Sequence, residues 1–444
     1  MKLYVVINAI AALLFALYII GGVTWLYFPF FAFVALFTAY NLVILAYSLK
    51  KPSPLPKREV RDIPKVAILY MTYNDMNEKS LESIFNLDYS NKEVLIVDDS
   101  TNPDMRKRLE DIAEEHGAKL IRRSNRKGFK AGAINNALKY TDAEYVTICD
   151  ADELMPANFI TEALKYFVSD DIAFVQASHY SWNKDNTWRK YMGLGVDLHW
   201  ITYQDYRNKH AIVNFLGHGA LLKVSALKQV GGFPEIVSED IALTVELYDH
   251  GYRGVFARDI QVGEAFPETY NAFQRRHKKW SMGAAEFMKR YWKRVLFSKK
   301  LSWDQKEDML ISMLSLPMTA YLVIFIVMAM FFTIPFSYLL GILAVISIFA
   351  PSLMFLKLKS ITTFVKAFII NAIAYMSLFP TSLIYTIKGF IAPNFVVTGV
   401  KGARWSMDIA LNMLIGATLV LISRGLNPLG IVATLTPLFY VIWK

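Results

Sequence analysis

Three carboxylates stand within four residues in Asp150–Glu153, directly behind an apolar run at Tyr145–Cys149. Like charges at the end of a buried strand repel one another and lose hydration, so this cluster predicts a positively charged partner. Asp98 and Asp99 follow another apolar run in the same way. A helix cap needs only one carboxylate, whereas several hard oxygen ligands at neighbouring strand ends indicate a divalent cation that binds substrate phosphates.

We therefore expect Asp99, Asp150 and Asp152 to hold one Mg²⁺ or Mn²⁺ ion that bridges two phosphoryl groups. The segment RKGFKAGAINNAL, residues 126–138, contains basic side chains that could bind the same diphosphate. Its lysines and glycines lie at the start of a predicted helix. Backbone amides at a helix start favour anions. Taken alone, this segment fits a solvated turn equally well, and it is not a Walker loop.

The elements that must position these side chains alternate between strand-like runs and amphipathic segments such as Met105–His116. The predicted strands are Lys65–Tyr70, Glu93–Val97, Lys119–Arg122, Tyr145–Cys149 and Ile172–Ser178. This alternation predicts an α/β domain with a mostly parallel sheet and helices on both faces. Ligands of such sheets gather at the carboxyl ends of the strands, where the polar residues stand here.

The composition is too apolar for one soluble domain, with 54% hydrophobic and 19% charged residues. Two uncharged stretches open the chain at 4–28 and 29–48, each close to the length that crosses a bilayer. Further apolar stretches lie at 310–333, 335–356, 362–387, 409–423 and 427–443. The region from about 51 to 300 carries most of the charges, which predicts an integral, multi-pass membrane protein with one large soluble insert.

Basic residues track the predicted membrane edges. Lys50, Lys57 and Arg58 follow the second apolar stretch, so the positive-inside rule places the soluble domain in the cytosol. A basic, aromatic segment before residue 300 is typical of an interfacial helix on anionic headgroups. Binding to the membrane surface explains the net charge of +10 better than binding to nucleic acid, since no nucleic-acid-binding motif is visible. The single Cys149 excludes an intrachain disulfide.

The ordered motifs VDDS, KAGAINNAL, DAD, GHGALLKVSALKQVGGFPE, SED and QRRHKKWSMG resemble the membrane-embedded family 2 glycosyltransferases, which include cellulose, hyaluronan and mannan synthases. The resemblance covers the whole soluble domain. It implies a GT-A nucleotide-sugar-binding domain inserted between transmembrane helices, and an inverting transfer of a hexose from a UDP- or GDP-sugar. The implied divisions are a transmembrane hairpin at 1–50, a cytosolic GT-A domain at 51–285, amphipathic interfacial helices at 286–310 and a transmembrane bundle at 311–444 with a gating-like loop at 388–405.

The resemblance also implies roles for individual residues. Asp240 would be the general base, which agrees with the need to deprotonate a weakly nucleophilic sugar hydroxyl. Nucleotide binding would fall to Thr72, Tyr73, Asp75, Asp99, Lys130 and Asp150, and metal binding to Asp150 and Asp152. The acceptor would contact His218, Glu239 and Trp280, and the diphosphate would contact Arg276, His277 and Lys279. The alternative for Glu239 and Asp240 is a pair of helix-start acids.

The chain departs from the family's Q-x-x-R-W signature, because Arg276 holds the glutamine position and Lys279 holds the arginine position. The continuation WSMGAAEFMKR is closer to mannan-synthase-like sequences. This departure leaves processivity and sugar specificity open.

The segment NFVVTGVKG resembles the F-x-V-T-x-K gating loop of cellulose synthases, with Phe395, Thr398 and Lys401 in the motif positions and one residue extra before the lysine. A cytosolic loop here requires an even number of crossings after the soluble domain. We therefore expect the stretch 362–387, which contains Pro380, to be interfacial or re-entrant, giving six spans, with seven as the alternative.

Two other functions share these features. A non-processive enzyme that loads one sugar onto a lipid, such as a polyprenyl phosphate or diacylglycerol, would have the same active site as a polysaccharide synthase. A transporter with a nucleotide-sensing domain belongs to a different class. Transporters place ionisable groups at mid-membrane, and the clear spans here contain none.

Overall fold

The computed structural model describes residues 2–50, 52–315, 337–358, 360–393, 407–422, 431 and 434–435. One eight-stranded sheet forms the centre of the soluble part. Its strands are β1 (Val66–Thr72), β2 (Lys92–Asp98), β3 (Lys119–Ile121), β4 (Tyr145–Asp150), β5 (Glu153–Leu154), β6 (Ile172–Ser181), β7 (Ala220–Lys223) and β8 (Arg253–Glu264). The spatial order is β3-β2-β1-β4-β7-β6-β8-β5.

The sheet is mixed, with mostly parallel pairings. β1 pairs in parallel with β2 and β4, β2 with β3, and β6 with β8. β7 runs antiparallel between β4 and β6, and β5 pairs antiparallel with β8. The predicted α/β class is confirmed, and the parallel half is the one that the apolar runs of the sequence indicated.

Helices cover both faces of the sheet. The soluble part contains α3 (Glu78–Phe85), α4 (Pro103–His116), α5 (Phe129–Ala137), α6 (Phe159–Leu164), α7 (Thr187–His210), α8 (Val224–Gln229), α9 (Glu239–Asp249) and α10 (Tyr270–Phe297). One apolar core packs around Leu69 and Ile148, and a second lies on the opposite face around Ile68 and Cys149. Because neighbouring side chains of a strand point to opposite faces, a run that is apolar throughout fills both cores.

Strand register brings the polar strand ends together. Met71 lies opposite Asp150, and Thr72 lies opposite Asp98, so three strands end at one edge. At the far side of the same edge, Glu153 lies opposite Glu264. The sequence did not indicate β8, because RGVFARDIQVGE mixes charged and apolar residues and its parallel partner β6 is distant in the chain.

The remaining helices are α11 (Trp303–Ser315), whose first half is charged, and the apolar helices α1 (Leu3–Ile20), α2 (Phe28–Ser48), α12 (Tyr338–Phe349), α13 (Ile361–Ser377), α14 (Phe379–Ile391) and α15 (Met407–Ile422). In the described part of the chain, the two segments Leu3–Ile20 and Trp25–Ser48 are long and apolar enough to cross a membrane, with mean hydropathies of 2.5 and 2.0. Two bent helix pairs would add one span each if each pair counts as one.

The stretch 362–387 contains the interruption that its polar residues and Pro380 indicate. Helices α13 and α14 meet there at an angle of 51°. Proline accounts for the break, since it lacks an N–H and stands at the start of the second helix. The gating-loop residues Phe395, Thr398 and Lys401 lie outside the described residues.

Helix α10 runs unbroken through the division that we expected at residues 285 and 286. It begins behind Thr269, whose side chain accepts a hydrogen bond from the backbone of Ala272, and continues for 28 residues. The boundary that we expected between the soluble domain and the interfacial helices therefore falls inside one continuous helix.

Candidate active site

A cavity of about 1320 Å³ opens at the carboxyl ends of β1, β2 and β4. Nearly all the residues that sequence reasoning singled out line it together: Thr72, Tyr73, Asp75, Asp99, Lys130, Asp150, Asp152, His218, Glu239, Asp240, Arg276, Lys279 and Trp280. The structure does not bring His277 to this cavity. The Nε2 atom of His277 lies 2.6 Å from Oγ of Ser382, and the ring is buried.

Asp150 ends β4 and pairs with Lys130 in the first turn of α5. The Nζ atom of Lys130 lies 2.5 Å from Oδ1 of Asp150 and also donates to the carbonyl oxygen of Gly217 at 3.1 Å. Burial opposes ionisation of Asp150, but Lys130 and then His218 outweigh it and lower the pKa of Asp150 to about 2. Part of the positive charge that the acidic cluster predicted therefore comes from the chain itself.

Asp152 lies in a more acidic environment. Burial, followed by the charges of Glu264 and Asp150, raises the pKa of Asp152 to about 7. Arg276 forms an ion pair with Glu264, and this charge opposes the shift without cancelling it. A carboxylate crowded by two others is the position at which an added divalent cation relieves most repulsion.

Asp99 is held by Arg123 within the chain. That Asp99 shares an ion with Asp150 and Asp152 stays a prediction. Nε and Nη2 of Arg123 lie 2.8 and 2.6 Å from the two carboxylate oxygens of Asp99. Nε of Arg122 lies 2.7 Å from Oδ2 of Asp98, while its two Nη atoms donate to Glu110 and to the carbonyl oxygen of Arg106. The reason is register: β2 and β3 are parallel neighbours, so the two arginines after β3 meet the two aspartates at the end of β2.

The loop after β1 forms a second wall of the cavity. Oδ1 of Asp75 accepts hydrogen bonds from the backbone N–H of Tyr73 at 2.7 Å and from Oγ1 of Thr72 at 3.2 Å. The guanidinium of Arg126 lies 3.5 Å from the centroid of the Tyr73 ring. An aromatic ring, a cation and a fixed carboxylate on one wall are groups that bind a nucleoside by stacking and hydrogen bonding.

His218 contacts an acid rather than standing free at the acceptor side. Its Nδ1 atom lies 3.4 Å from Oε1 of Glu153, and its ring stacks on His179 at 4.5 Å. Glu153, followed by Asp150 and Glu264, overcomes the effect of burial and raises the pKa of His218 to about 9. Burial and the charge of His218 lower the pKa of His179 to about 3. At neutral pH His218 is therefore protonated and positively charged, whereas His179 is neutral.

Gly219 makes this packing possible. It has φ +62°, and a Cβ atom there would lie 2.4 Å from Nε2 of His179 and 2.8 Å from Oε1 of Glu153. Any side chain would displace the buried carboxylate or the ring. The other oxygen of Glu153 accepts the backbone N–H of Asp150 at 3.2 Å, so the glutamate also fixes the turn that carries the acids.

Glu239 and Asp240 open helix α9 on the opposite wall. Oδ1 of Asp240 accepts the backbone N–H of Ile241 at 2.8 Å, and its Oδ2 approaches the backbone at Gly217, near the amine of Lys130. Burial raises the pKa of Glu239, while Lys279 acts in the opposite direction. The two acids thus lie at the start of helix α9 and also line the cavity.

Two sets of residues could hold a cation. Asp150, Asp152 and Glu264 supply hard oxygen donors, which suit Mg²⁺ or Mn²⁺. Ligand atoms of Glu153, His179 and His218 all lie within 4.8 Å of one another. The second set is the one whose ligand atoms converge among the described residues. Protonated His218 already neutralises Glu153 there, so a cation in that set would have to displace this proton.

The cavity continues from the carboxylates into the apolar helices. Trp280 on α10 and Trp200 and Tyr203 on α7 line the part between them. The apolar end is lined by aromatic side chains, among them Phe30, Phe31, Phe37, Phe355 and Phe368. One continuous space therefore joins the acidic strand ends to the helices that the sequence predicts to lie in the membrane.

Comparison with known families shows to which protein family the chain belongs. The sequence profile described as "Glycosyl transferase family group 2" matches residues 145–442, more than half of the chain. The chain belongs to this family. The GT-A resemblance that the ordered motifs indicated is confirmed.

Curated relatives of this glycosyltransferase include plant enzymes. It is 27% identical over 281 residues to glucomannan 4-beta-mannosyltransferase 1 of Cyamopsis tetragonoloba, covering 60% of this chain and 52% of the relative. It is 28% identical over 225 residues to glucomannan 4-beta-mannosyltransferase 2 of Arabidopsis thaliana, covering 48% and 42% respectively. The chain spans about half the length of the curated relatives it matches.

Among solved structures, the glycosyltransferase is similar to a mannosyltransferase from Pyrobaculum calidifontis in complex with GDP-mannose and Mn²⁺. The TM-score is 0.57 at 20% identity, over 82% of this chain and 99% of that one. This similarity shows that the two proteins share the GT-A fold.

Several residues of the glycosyltransferase site escaped sequence reasoning. Arg123, Glu264 and His179 each complete a contact with a residue that was singled out. For Arg123 a signal existed, since it directly follows the predicted strand Lys119–Arg122, as Asp98 and Asp99 follow Glu93–Val97. Glu264 had no local signal, because β8 was not recognised. His179 directly follows the predicted strand Ile172–Ser178 and so carried the same signal as the acids, although the observed β6 extends past it.

Proposed function

We propose that this protein is a membrane-integrated, inverting mannosyltransferase that moves mannose from GDP-mannose onto a growing β-mannan-type polysaccharide. The plant relatives are named for mannosyl transfer, and the similar archaeal structure contains GDP-mannose and Mn²⁺. Mannan-synthase-like sequence around WSMGAAEFMKR supports the same choice of sugar. The proposal depends on one observation: Asp240 lines the same cavity as Asp150, Asp152 and Trp280.

In this proposal Asp240 removes the proton from the attacking hydroxyl of the acceptor sugar. The hydroxyl oxygen forms a bond to the anomeric carbon of the donor, and the bond from that carbon to the diphosphate oxygen breaks, with its electron pair leaving on the diphosphate. A single displacement inverts the anomeric centre. A positioned carboxylate of this kind contributes about 10²–10⁴ in rate.

The leaving diphosphate meets fixed positive charge. Lys130 stands in the first turn of α5, where the helix dipole adds to its charge. Arg276 and Lys279 line the cavity from α10 and replace the glutamine and arginine of the family signature. A lysine ammonium is a compact point charge, whereas an arginine guanidinium is a planar group that can donate two parallel hydrogen bonds. Lys279 therefore fixes the orientation of the diphosphate less strictly than an arginine would.

Asp150 and Asp152, with Glu264 beside them, would hold a divalent cation. When bound, Mg²⁺ or Mn²⁺ supplies charge that stabilises the departing diphosphate. The chain's own contribution is to keep Asp150 ionised through Lys130 and to hold the acidic turn through Glu153. Trp280 offers its ring to the acceptor sugar, which stacks its C–H face on aromatic surfaces.

The soluble domain lies in the cytosol under this proposal, with α1 and α2 crossing the membrane as a hairpin. The cationic residues 50, 57 and 58 after α2 support this orientation. Residues 388–405 would form a cytosolic loop near the donor.

The first test is donor choice. Purified full-length protein with Mn²⁺ is given a panel of nucleotide sugars, and released nucleoside diphosphate is measured. We expect GDP from GDP-mannose, with little release from UDP-sugars. Preferred release of UDP would overturn the choice of donor, and no release from any sugar would favour the transporter with a nucleotide-sensing domain.

A second candidate is a non-processive transferase with a lipid acceptor. The apolar, aromatic lining at Phe30, Phe31 and Phe37 favours it, because an acyl or polyprenyl chain packs on such a surface. Product size separates the two functions. Labelled donor yields a long polymer if the polysaccharide proposal holds, and one sugar on an organic-extractable lipid if the alternative does.

A further inference from the structure

Arg126 lines the large cavity, and the proposed reaction gives it no role. Its guanidinium lies 3.5 Å from the centroid of the Tyr73 ring, and its Nε atom lies 3.7 Å from Oδ2 of Asp99. That Nε atom is buried and has no hydrogen-bond partner among the described residues. The side chain as a whole is 30% exposed, so its terminal nitrogens remain accessible from the cavity.

The loop that carries Arg126 is fixed by the neighbouring Arg123. Besides its bidentate contact with Asp99, Arg123 donates through Nη1 to the carbonyl oxygen of Lys127 at 2.6 Å and through Nη2 to that of Phe129 at 2.7 Å. The backbone N–H of Phe129 donates in turn to the carbonyl oxygen of Arg126 at 3.0 Å. A side chain on a loop that is already ordered binds a ligand with a smaller loss of conformational entropy.

The position of Arg126 along the sheet indicates the nucleoside end of the donor, away from the diphosphate. Asp99 follows β2 and Asp150 ends β4, and β1 lies between these two strands. Two strand spacings, about 10 Å, therefore separate the two strand ends. Lys130 already contacts Asp150 at the diphosphate end. A nucleoside diphosphate whose phosphates lie at Asp150 brings its base towards Arg126 and Tyr73.

The bases of nucleotides differ in what they present to an arginine. Guanine has two adjacent acceptors, O6 and N7, which match two parallel N–H bonds of a guanidinium. Uracil has no such pair of adjacent acceptors, and adenine has an amino group, which donates, in place of O6. Stacking on Tyr73 fixes the plane of the Arg126 guanidinium, and a base that accepts both bonds lies in that plane. One arginine at this place therefore distinguishes guanine from uracil and adenine.

We propose that Arg126 determines the nucleotide specificity of the donor site by donating two hydrogen bonds to O6 and N7 of guanine. Tyr73 holds the plane of the guanidinium, and Asp99 holds its Nε side. This inference rests on the proposed function, since it takes the donor to be a GDP-sugar. It assigns the choice of base to Arg126 and leaves the choice of sugar to the residues at the other end of the donor.

The test is the binding of nucleoside diphosphates to the purified full-length protein with saturating Mn²⁺, measured by titration calorimetry. The probes are GDP, UDP, ADP and 7-deaza-GDP, in which a C–H group replaces N7. Arg126→Met removes the guanidinium and keeps the length of the side chain, whereas Arg126→Lys keeps the charge and loses the two parallel donors. The matched control is Arg106→Met, at an exposed arginine on α4 outside the cavity.

We expect the wild type to bind GDP about 5- to 150-fold more tightly than ADP, which corresponds to about 1–3 kcal/mol for a bidentate contact between arginine and guanine. The affinity for 7-deaza-GDP should lie between the two, because this analogue keeps O6. In Arg126→Met and Arg126→Lys, GDP and 7-deaza-GDP should bind equally, while the affinity for UDP changes little. Arg106→Met should keep the wild-type order. The thermal midpoint of each variant shows that it is folded.

Equal binding of GDP and 7-deaza-GDP by the wild type, or an unchanged ratio of the two in Arg126→Met, would overturn the contact. Equal weakening of GDP, 7-deaza-GDP and UDP by Arg126→Met would also overturn it and assign Arg126 to the diphosphate. Tighter binding of UDP than of GDP by the wild type would contradict both this inference and the proposed donor. A protein that distinguishes GDP from 7-deaza-GDP through Arg126, yet transfers no sugar from GDP-mannose, would support this inference and contradict the proposed function alone.

Discussion

Nζ of Lys130 lies 2.5 Å from Oδ1 of Asp150, so the first acid of the Asp150–Asp152 pair has a cation of its own within the chain. Among the described residues no cation forms an ion pair with Asp152, and burial, followed by the charges of Glu264 and Asp150, raises its pKa. The two acids are thus unequal: one is held ionised in advance, and the other gains most from an added cation.

This inequality predicts a pH-dependent metal affinity. Asp152 must lose its proton to bind Mn²⁺, and its pKa is raised to about 7 by burial and by its acidic neighbours. The affinity for Mn²⁺ should therefore rise roughly tenfold per pH unit below 7 and level off above it. Titration calorimetry between pH 5.5 and 8.5 measures the slope.

Asp152→Asn should abolish both the binding and its pH dependence, because an amide has no proton to lose. Asp111→Asn, on the exposed face of α4, is the control and should keep the wild-type slope. A wild-type affinity that does not change across this pH range would contradict the assignment of Asp152 as the metal ligand.

Asp240→Asn should remove turnover and leave donor binding nearly intact. The carboxylate accepts the proton of the acceptor hydroxyl in our proposal, and an amide of the same shape cannot. The expected loss is about 10²–10⁴ in kcat. Transfer rates and the dissociation constant of GDP with Mn²⁺ are measured on the same preparation. If GDP binding falls along with turnover, Asp240 holds the nucleotide and the base must be sought elsewhere.

His218 predicts how stability changes with pH. Glu153, Asp150 and Glu264 together outweigh burial and raise the pKa of His218 from 6.5 to about 9. A raised folded-state pKa means that the folded protein binds this proton more tightly than the unfolded chain. The stabilisation is thus complete below pH 6.5 and is lost as the pH rises through 9.

His218→Gln tests this sign. The difference in thermal midpoint between wild type and variant should be largest near pH 6.5 and should shrink towards pH 9.5. His116→Gln, at an exposed ring stacked on Phe85, is the control variant. A constant difference for His218→Gln would mean that the histidine contributes packing and no charge.

The parallel half of the fold was predictable because its strands are short apolar runs followed by polar residues, as at Cys149 and Asp150. Which partner each acid takes was not predictable. The contact between Lys130 and Asp150 spans 20 residues, and the contact between Arg123 and Asp99 spans 24. Such pairings depend on the register of parallel strands, and a local pattern does not contain that register.

The other half of the sheet illustrates a second limit. β7 has four residues and runs antiparallel between β4 and β6, and β8 alternates charges with apolar residues. Neither has the uninterrupted apolar run, followed by polar residues, by which β1 and β4 are recognised. Glu264 ends β8, so failure to recognise that strand also hid the acid beside Asp152.

A buried ion pair joins the soluble domain to the apolar helices. Nε of Arg207 on α7 lies 2.9 Å from Oδ2 of Asp308 on α11, with side chains 3% and 1% exposed. The hydroxyl of Tyr40 on α2 donates to the other oxygen of Asp308 at 2.6 Å. Three helices that are distant in the chain therefore meet at one carboxylate.

Asp308→Asn should destabilise the protein by about 3–5 kcal/mol, because it leaves the guanidinium of Arg207 buried without its counter-charge. The double variant Arg207→Met with Asp308→Leu should recover much of this loss, since it removes both charges and fills similar volume. Asp171→Asn is the matched control. It breaks the ion pair with Arg253, whose side chains are 43% and 46% exposed, and should cost less than about 1 kcal/mol. Thermal unfolding in one detergent ranks the three variants, and a loss for Asp308→Asn no larger than that for Asp171→Asn would show that water reaches the pair and that it does not join the helices.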